Sequence, residues 1–272
     1  MINNEKVSEF LGWYAGDGCL SVNSRYSEFA LTGDIDEEYI FYENIICPTV
    51  NGLFGKYLKK PIRLKRYISS RVCGFYTFDK NFINFLKKNY GLKAGKKIDI
   101  KIPASVRTKE EKIPFIRGLF DTDGSIFFCR SNFIPKKQSF FNKFHYKPKI
   151  KVATISYNLI NGVFEILSNL GYSPRVILPT KQRNYENTVY GLVLDTKFDT
   201  RKWISEIGFK NYKHSSKLEV WNKFGFCPPH STLKQRIKML DGELDPKTFY
   251  PAVEESLQKI RVSLRKSIFQ SL

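Results

Sequence analysis

Two aspartates carry the first hint of chemistry. Asp17 stands in "WYAGDGCL" and Asp123 in "LFDTDGSI", each after an amphipathic run and just before a glycine. A carboxylate is out of place at the C-terminal end of a helix, because that end already carries negative partial charge. For one copy, a C-terminal turn with a left-handed glycine would be explanation enough. Two copies at matched positions ask for more. Aligning Gly18 with Gly124 pairs Asp17 with Asp123, Gly12 with Gly118 and Gly16 with Thr122. Each helix then has small residues four apart, a stripe along which two backbones can approach closely. Helices lying side by side in the same direction would bring both carboxylates together. Converging carboxylates repel unless a cation joins them, and Mg²⁺ suits such a site because it takes hard oxygen ligands and lowers the pKa of bound water. The chemistry expected is phosphodiester hydrolysis, with Lys97 and Lys213 placed to stabilise developing phosphorane charge.

Composition names the counterpart. The 272 residues include 45 Lys and Arg against 26 Asp and Glu, a formal charge of +19 spread over most of the chain. A field of that sign and extent calls for a polyanion. No apolar run approaches the roughly 20 residues that cross a bilayer, and "MINNEKVSEF" has neither a charged n-region nor an apolar h-region. The expectation is an intracellular protein of the cytoplasm or an organelle matrix, without membrane contact or secretion signal. Cys19, Cys47, Cys73, Cys129 and Cys227 stand singly, so no C-x-x-C pair builds a zinc or redox site, and reduced, partly buried thiols are expected. Aromatic residues make up 15 %, ample for a packed core. His145, His214 and His230 lack the spacing of a metal-binding helix.

The elements that must hold the acids repeat as well. Val7, Phe10, Leu11 and Tyr14 recur at helical spacing from Lys6 to Ala15. In the second half Thr108 and Glu111 make a capping box ahead of Ile113, Ile116 and Phe120, and Pro114 is expected in the first turn of that helix. "PIRLKRYI" sets Ile62, Leu64 and Ile68 against Arg63, Lys65 and Tyr67; "KPKIKVA" sets Ile150 and Val152 against Lys147, Lys149 and Lys151. "PRVILPTKQR" sets Val176 and Leu178 against Arg175, Lys181 and Arg183, with Pro179 marking an edge strand or bulge. Further helices are expected near 37 to 54, 79 to 89, 156 to 170 and 196 to 206. Each half reads helix, two strands, helix, two strands, helix: an α+β unit whose antiparallel strands cover one side of the helices. Such a basic sheet can lie in a groove of duplex DNA. The expected contacts are Arg25, Arg63, Lys65, Arg71, Arg130, Lys149, Lys151, Arg175, Lys181, Gln182 and Arg183.

"FLGWYAGDG" and "FIRGLFDTDG" resemble the paired LAGLIDADG motifs of homing endonucleases, in the single-chain, two-repeat form. The resemblance runs from about residue 5 to about residue 225 and includes "GLKAGKK" and "GFKNYKH", which follow the last helix of each half. It implies two pseudo-symmetric αββαββα repeats with curved antiparallel DNA-binding sheets, spanning 1–105 and 106–226, and a helical C-terminal extension over 227–272. Gly12, Gly16, Gly118 and Thr122 would form the helix interface. Asp17 and Asp123 would be the metal-binding acids, with Gly16 and Thr122 beside them in the metal site; Mg²⁺ is the expected ion, with Mn²⁺ or Ca²⁺ able to take its place. Lys97 occupies a position often basic in that family; the corresponding second-repeat position is His214, beside Lys213, which would carry that role.

The resemblance further implies a metal-dependent nuclease that cuts both strands of a long target across the minor groove, leaving short 3′ overhangs. The two halves differ in sequence, so the target is expected to be asymmetric. Ala15 stands where the second copy has Asp121, and Thr122 is bulkier than the usual small residue. "MINNEK" and "SIFQSL" lack self-splicing residues, so a freestanding, intron-encoded monomer is expected. Two alternatives stay open: an RNA maturase that assists splicing by binding intron RNA, and a DNA-binding regulator that does not cut. In the extension, Ser231 is expected to cap a short helix to Leu240, and Pro246 or Pro251 to start a longer one bearing Val253, Leu257, Ile260, Leu264 and Ile268, with Lys259, Arg261, Arg265 and Lys266 as basic residues.

Overall fold

The computed structural model describes residues 4–130, 143–180 and 187–250, apart from the side chains of Leu178 and Thr180. Helix α1 (Asn4–Gly16) leads directly into β1 (Gly18–Val22), which pairs antiparallel with β2 (Ser27–Asp34). A short α2 (Tyr39–Phe41), a π-helical turn (Tyr42–Ile46) and α3 (Cys47–Phe54) follow without a break. Next come β3 (Lys65–Tyr67), β4 (Val72–Thr77) and α4 (Lys80–Tyr90). The second half repeats the order with α5 (Lys109–Thr122), β5 (Gly124–Cys129), β6 (Lys147–Thr154), α6 (Tyr157–Asn169), β7 (Arg175–Thr180), β8 (Val189–Leu194) and α7 (Lys197–Glu206). Helices α8 (Tyr212–Phe224) and α9 (Leu233–Asp241) complete the regular elements before a 3₁₀ turn at Pro246–Phe249.

Both sheets have four strands in the same order, β1-β2-β4-β3 and β5-β6-β8-β7. This matching topology makes the internal duplication structural, and the α+β class follows from it. The chain falls into two compact units: Met1–Phe127 with Pro148–Lys217, and Phe128–Lys147 with Leu218–Leu272. In the first unit, Phe29 stacks on Phe10 at 5.9 Å and meets Phe82 edge-on at 5.4 Å, while Phe54 meets Phe10 at 4.8 Å. In the second, Phe144, Phe226 and Tyr250 form an aromatic cluster, and the Trp221 indole N–H donates to the Tyr146 carbonyl at 2.7 Å.

Local chemistry sets the ends of the helices. The Asp79 carboxylate caps α4 by accepting from the Asn81 N–H, and Gly91 ends that helix at φ +67. Ser156 caps α6 and Thr196 caps α7. Thr108 and Glu111 form the expected capping box at the start of α5. Pro114 corrects the expectation: it lies inside α5 rather than in its first turn, because the box starts the helix earlier. The capping residue of α9 is Thr232, paired with Gln235, whereas the Ser231 hydroxyl donates to the Pro228 carbonyl.

Two strand assignments also change. Only Lys65–Tyr67 of "PIRLKRYI" is strand, and Ile68 is 71 % exposed in the 3₁₀ turn that follows, so the turn removes it from the apolar face. Val176 is exposed on β7. That strand is an edge strand with a register shift between Ile177 and Thr180, around Pro179. The Leu178 side chain, Lys181, Gln182, Arg183 and the tail from residue 251 onward lie outside the described residues. The cysteines with described positions are free thiols. Among the described residues no helix is long and apolar enough to cross a membrane.

Candidate active site

Helices α1 and α5 pack along each other through the glycine stripe. A Cβ on Gly12 would lie 2.8 Å from the Leu119 backbone nitrogen and 3.0 Å from the Gly118 Cα; one on Gly118 would lie 3.2 Å from the Trp13 ring. A Cβ on Gly16 would crowd Thr122 and come 3.1 Å from the Asp123 nitrogen. The Thr122 hydroxyl donates back to the carbonyls of Gly118 and Leu119 at 3.0 and 3.1 Å, which folds the bulkier side chain onto its own helix. The two C-terminal ends therefore lie together, and the carboxyls of Asp17 and Asp123 are near enough to act on each other electrostatically.

The positive partner of the first helix end is Lys97. Its ammonium donates to the carbonyls of Tyr14, Ala15 and Gly16, at 3.3 Å and 3.0 Å for the first two. A cation here offsets the negative end of the helix dipole. Burial lowers the Lys97 pKa, and Asp123 and Asp17 hold it up.

Asp17 is half-buried. Burial, then the nearby Glu38 and Asp123 carboxylates, push its pKa up to about 8, against the Tyr42 hydrogen bond and the Lys213 charge. Asp123 is raised by burial and pulled back by Lys97 and Lys213. Asp123 stands open to solvent as a residue, so water screens these neighbours. A cleft of about 470 Å³ opens beside it, lined by Gly16, Lys96, Lys97, Asp123, Thr154 and Asn187.

Several residues of the site gave no sequence signal. The Tyr42 hydroxyl donates to Asp17 Oδ2 at 3.1 Å. Glu38, 3 % exposed, accepts from the Asp34 N–H at 2.8 Å and from the Asn211 side-chain amide at 2.8 Å, and lies 3.5 Å from the Lys213 ammonium. Asn211 is fully buried ahead of α8; its side chain also donates to the Asp121 carbonyl and accepts from the Lys213 N–H. Asp121 explains the asymmetry with Ala15: its carboxylate accepts the backbone N–H groups of Lys210 and Asn211 at 3.0 Å each. Burial pushes the Asp121 pKa up to about 8 against those bonds. Only the "Ala against Asp" mismatch could have flagged any of this.

The donor set can be matched to an ion. Among the described residues no group of three or more His, Cys, Asp or Glu gathers closely enough to enclose a metal. A structural zinc centre needs such a cage. Mg²⁺ does not: one or two carboxylates suffice, with water and substrate phosphates supplying the other oxygens. Asp123, which lines the open cleft, with Asp17 close enough to act on it electrostatically, fits the second pattern. The Gly16 carbonyl already accepts from Lys97.

The sequence-predicted DNA contacts are spread over both sheets. Arg25 is exposed in the β1–β2 turn, Arg63 ahead of β3, Lys65 in β3 and Arg130 after β5; Lys149 and Lys151 are half-buried in β6. Arg71, at φ +53, pairs with Asp36 at 2.5 Å. Asp195 lies 2.8 Å from Arg175 and 3.7 Å from Lys149. Such solvent-accessible pairs contribute about 0–1 kcal/mol, so a phosphate can replace the carboxylate at little cost.

No family model matches the chain. A replication factor C small subunit of Methanocaldococcus jannaschii is 23 % identical over 215 residues; these are 79 % of this chain, which spans about a tenth of the length of that protein. Similar solved structures include I-DmoI in complex with DNA and Ca, 19 % identical with a TM-score of 0.49, covering 75 % of this chain and 89 % of that one. The N-terminal LAGLIDADG domain of DUF199/WhiA is 17 % identical with a TM-score of 0.43, covering 76 % and 82 %. Full-length DUF199/WhiA from Thermatoga maritima is 16 % identical with a TM-score of 0.42, covering 97 % and 67 %.

Proposed function

We propose that this protein is a site-specific double-strand DNA endonuclease of the homing type, acting as a monomer with Mg²⁺ on a long asymmetric target. The observation that carries the reading is the meeting of Asp17 and Asp123 at the ends of two packed helices, with Lys97 and Lys213 acting on them electrostatically. A regulator that only binds DNA has no use for two mutually repelling acids. Divalent cation held by Asp17 and Asp123 would supply an activated water and neutralise charge at the scissile phosphates. The protein's own groups do the rest. Tyr42 fixes one oxygen of Asp17, while the Lys97 and Lys213 ammonium groups favour charge building on the phosphate. The basic residues of the strands and their flanking turns, including Arg25, Arg63, Lys65, Lys151 and Arg175, would take the phosphates on either side. Gly16 and Thr122 would join the metal site from the helix ends.

The test is cleavage of a plasmid carrying the uninterrupted form of the gene that hosts the coding sequence. Wild-type protein with Mg²⁺ should linearise it. Asp17→Asn and Asp123→Asn should each lower cutting by on the order of a thousandfold or more while DNA binding persists. Full cutting by both variants would refute the catalytic assignment. A wild-type protein that never cuts but promotes intron splicing would establish the maturase instead.

A further inference from the structure

The segment between α4 and α5, from Gly91 to Thr108, has no regular element except a 3₁₀ turn at Lys97–Asp99. Stretches longer than about 12–15 residues without structure of their own are uncommon in compact domains and usually carry function. This one is pinned at both ends. The Gly95 N–H donates to the Leu20 carbonyl at 2.9 Å, and the Tyr14 hydroxyl to the Lys93 carbonyl at 3.0 Å. Further along, the Ser156 hydroxyl donates to the Ile100 carbonyl at 2.7 Å, and Ile102 packs where a Cβ on Gly162 would come within 2.8 Å of it. Between these anchors the segment and α1 enclose a cavity of about 480 Å³, which falls within the roughly 300–1,000 Å³ of small-molecule sites. Its walls are mainly apolar, with Leu11, Tyr14 and Ala15 from α1 and Leu92, Ile100 and Ile102 from the segment. Lys93, Lys96 and Lys101 line it as well; all three are exposed and, among the described residues, no carboxylate is paired with them. The one acid in the lining, Asp99, already accepts from the Asn158 amide. Lys96 also lines the cleft beside Asp123, so Lys93 and Lys101 are the cations proper to this cavity.

We propose that this cavity binds a small molecule with an apolar body and one anionic group, the body lying between α1 and the segment and the anion meeting Lys93 and Lys101. Apolar walls supply affinity by taking the body out of water, and the two ammonium groups select its charge. Neither Asp17 nor Asp123 lines the cavity. The site therefore stands whether or not the protein cuts DNA.

The test titrates the full chain, labelled at its Ile, Leu and Val methyl groups, with 2-naphthoate. Calorimetry should give saturable one-to-one binding, and the methyl resonances of Leu92, Ile100 and Ile102 should move while those of Ile150 and Leu194, in the core of the second sheet, stay in place. Naphthalene-2-carboxamide has the same body without the charge and should bind about tenfold more weakly, as expected for losing a hydrogen bond to a charged group. A Lys93→Gln, Lys101→Gln double variant should bring naphthoate down to the affinity of the amide with the melting temperature unchanged. Acetate, an anion without the body, should leave the same methyls unmoved at the concentration where naphthoate saturates. Absence of saturable binding overturns the proposal, as do shifts at Ile150 and Leu194 as large as those at Ile100 and Ile102. Equal affinity for the amide, or acetate acting as strongly as naphthoate, overturns it equally.

Discussion

Asp17 is a carboxyl held where ionising it is costly. Its pKa in the folded protein is about 8, against about 3.9 in an unfolded chain. A group raised in this way contributes its stability below the unfolded value and loses it as pH climbs through the folded one. Between about pH 4 and pH 8, ionising Asp17 therefore works against the fold. Asp17→Asn should melt higher than wild type at pH 8 in the absence of metal and at nearly the same temperature at pH 4. Adding Mg²⁺ should raise the wild-type melting temperature at pH 8 and narrow the difference. Calorimetric melting across that range checks the sign, and a variant less stable at pH 8 would show that the repulsion is already relieved inside the protein. The same residue marks the limit of what sequence can say. That Asp17 and Asp123 should meet was readable from paired glycines. That Tyr42 and Glu38 would surround one of them was not, because "DEEYIFYE" looks like an ordinary helix start and only the tertiary packing under Gly33 turns those side chains inward.

At the scale of elements, the glycines of α1 and α3 make opposite predictions. Gly12 faces the α5 backbone, where a Cβ would meet atoms that cannot move aside. Gly12→Ala should therefore destabilise by about 1–3 kcal/mol through overpacking. Gly52 lies in α3 with nothing within 4 Å of a would-be Cβ. Gly52→Ala should stabilise by about 0.4–1 kcal/mol, since alanine restricts the unfolded chain and favours helix. Denaturant unfolding of the two variants side by side tests the pairing; equal signs would mean that α1 and α5 are not in backbone contact. Helix periods and caps were legible for the same reason that these glycines are: they act locally. The expected helix near 37 to 54 is present, but its π turn left no mark in the sequence. Ile68 and Val176 failed as core residues because alternation cannot show where a 3₁₀ turn or an edge strand takes over.

At the scale of the whole molecule, the excess of positive charge yields a prediction for the proposed DNA complex. With +19 formal charge and exposed arginines and lysines on both halves, most of the affinity for duplex DNA should come from released counterions. For 6 to 10 phosphate contacts, raising salt from 50 to 200 mM should weaken binding by on the order of 10³ to 10⁵-fold. Fluorescence anisotropy with a labelled duplex measures that slope, and a flat response would rule out the basic strand faces as the interface.

One contact set bears on the history of such a chain. Glu9, 2 % exposed, is paired with Arg117 at 2.8 Å and Lys210 at 2.6 Å, both from the other half. Aligning the two copies puts Leu11 opposite Arg117, so two identical first halves would set this acid beside an aliphatic chain. A buried carboxylate that loses a partner is strongly destabilising. Paired with a copy of itself, the first half would keep Glu9 buried and lose its Arg117 partner, so the charge at position 9 suits only the unequal pairing.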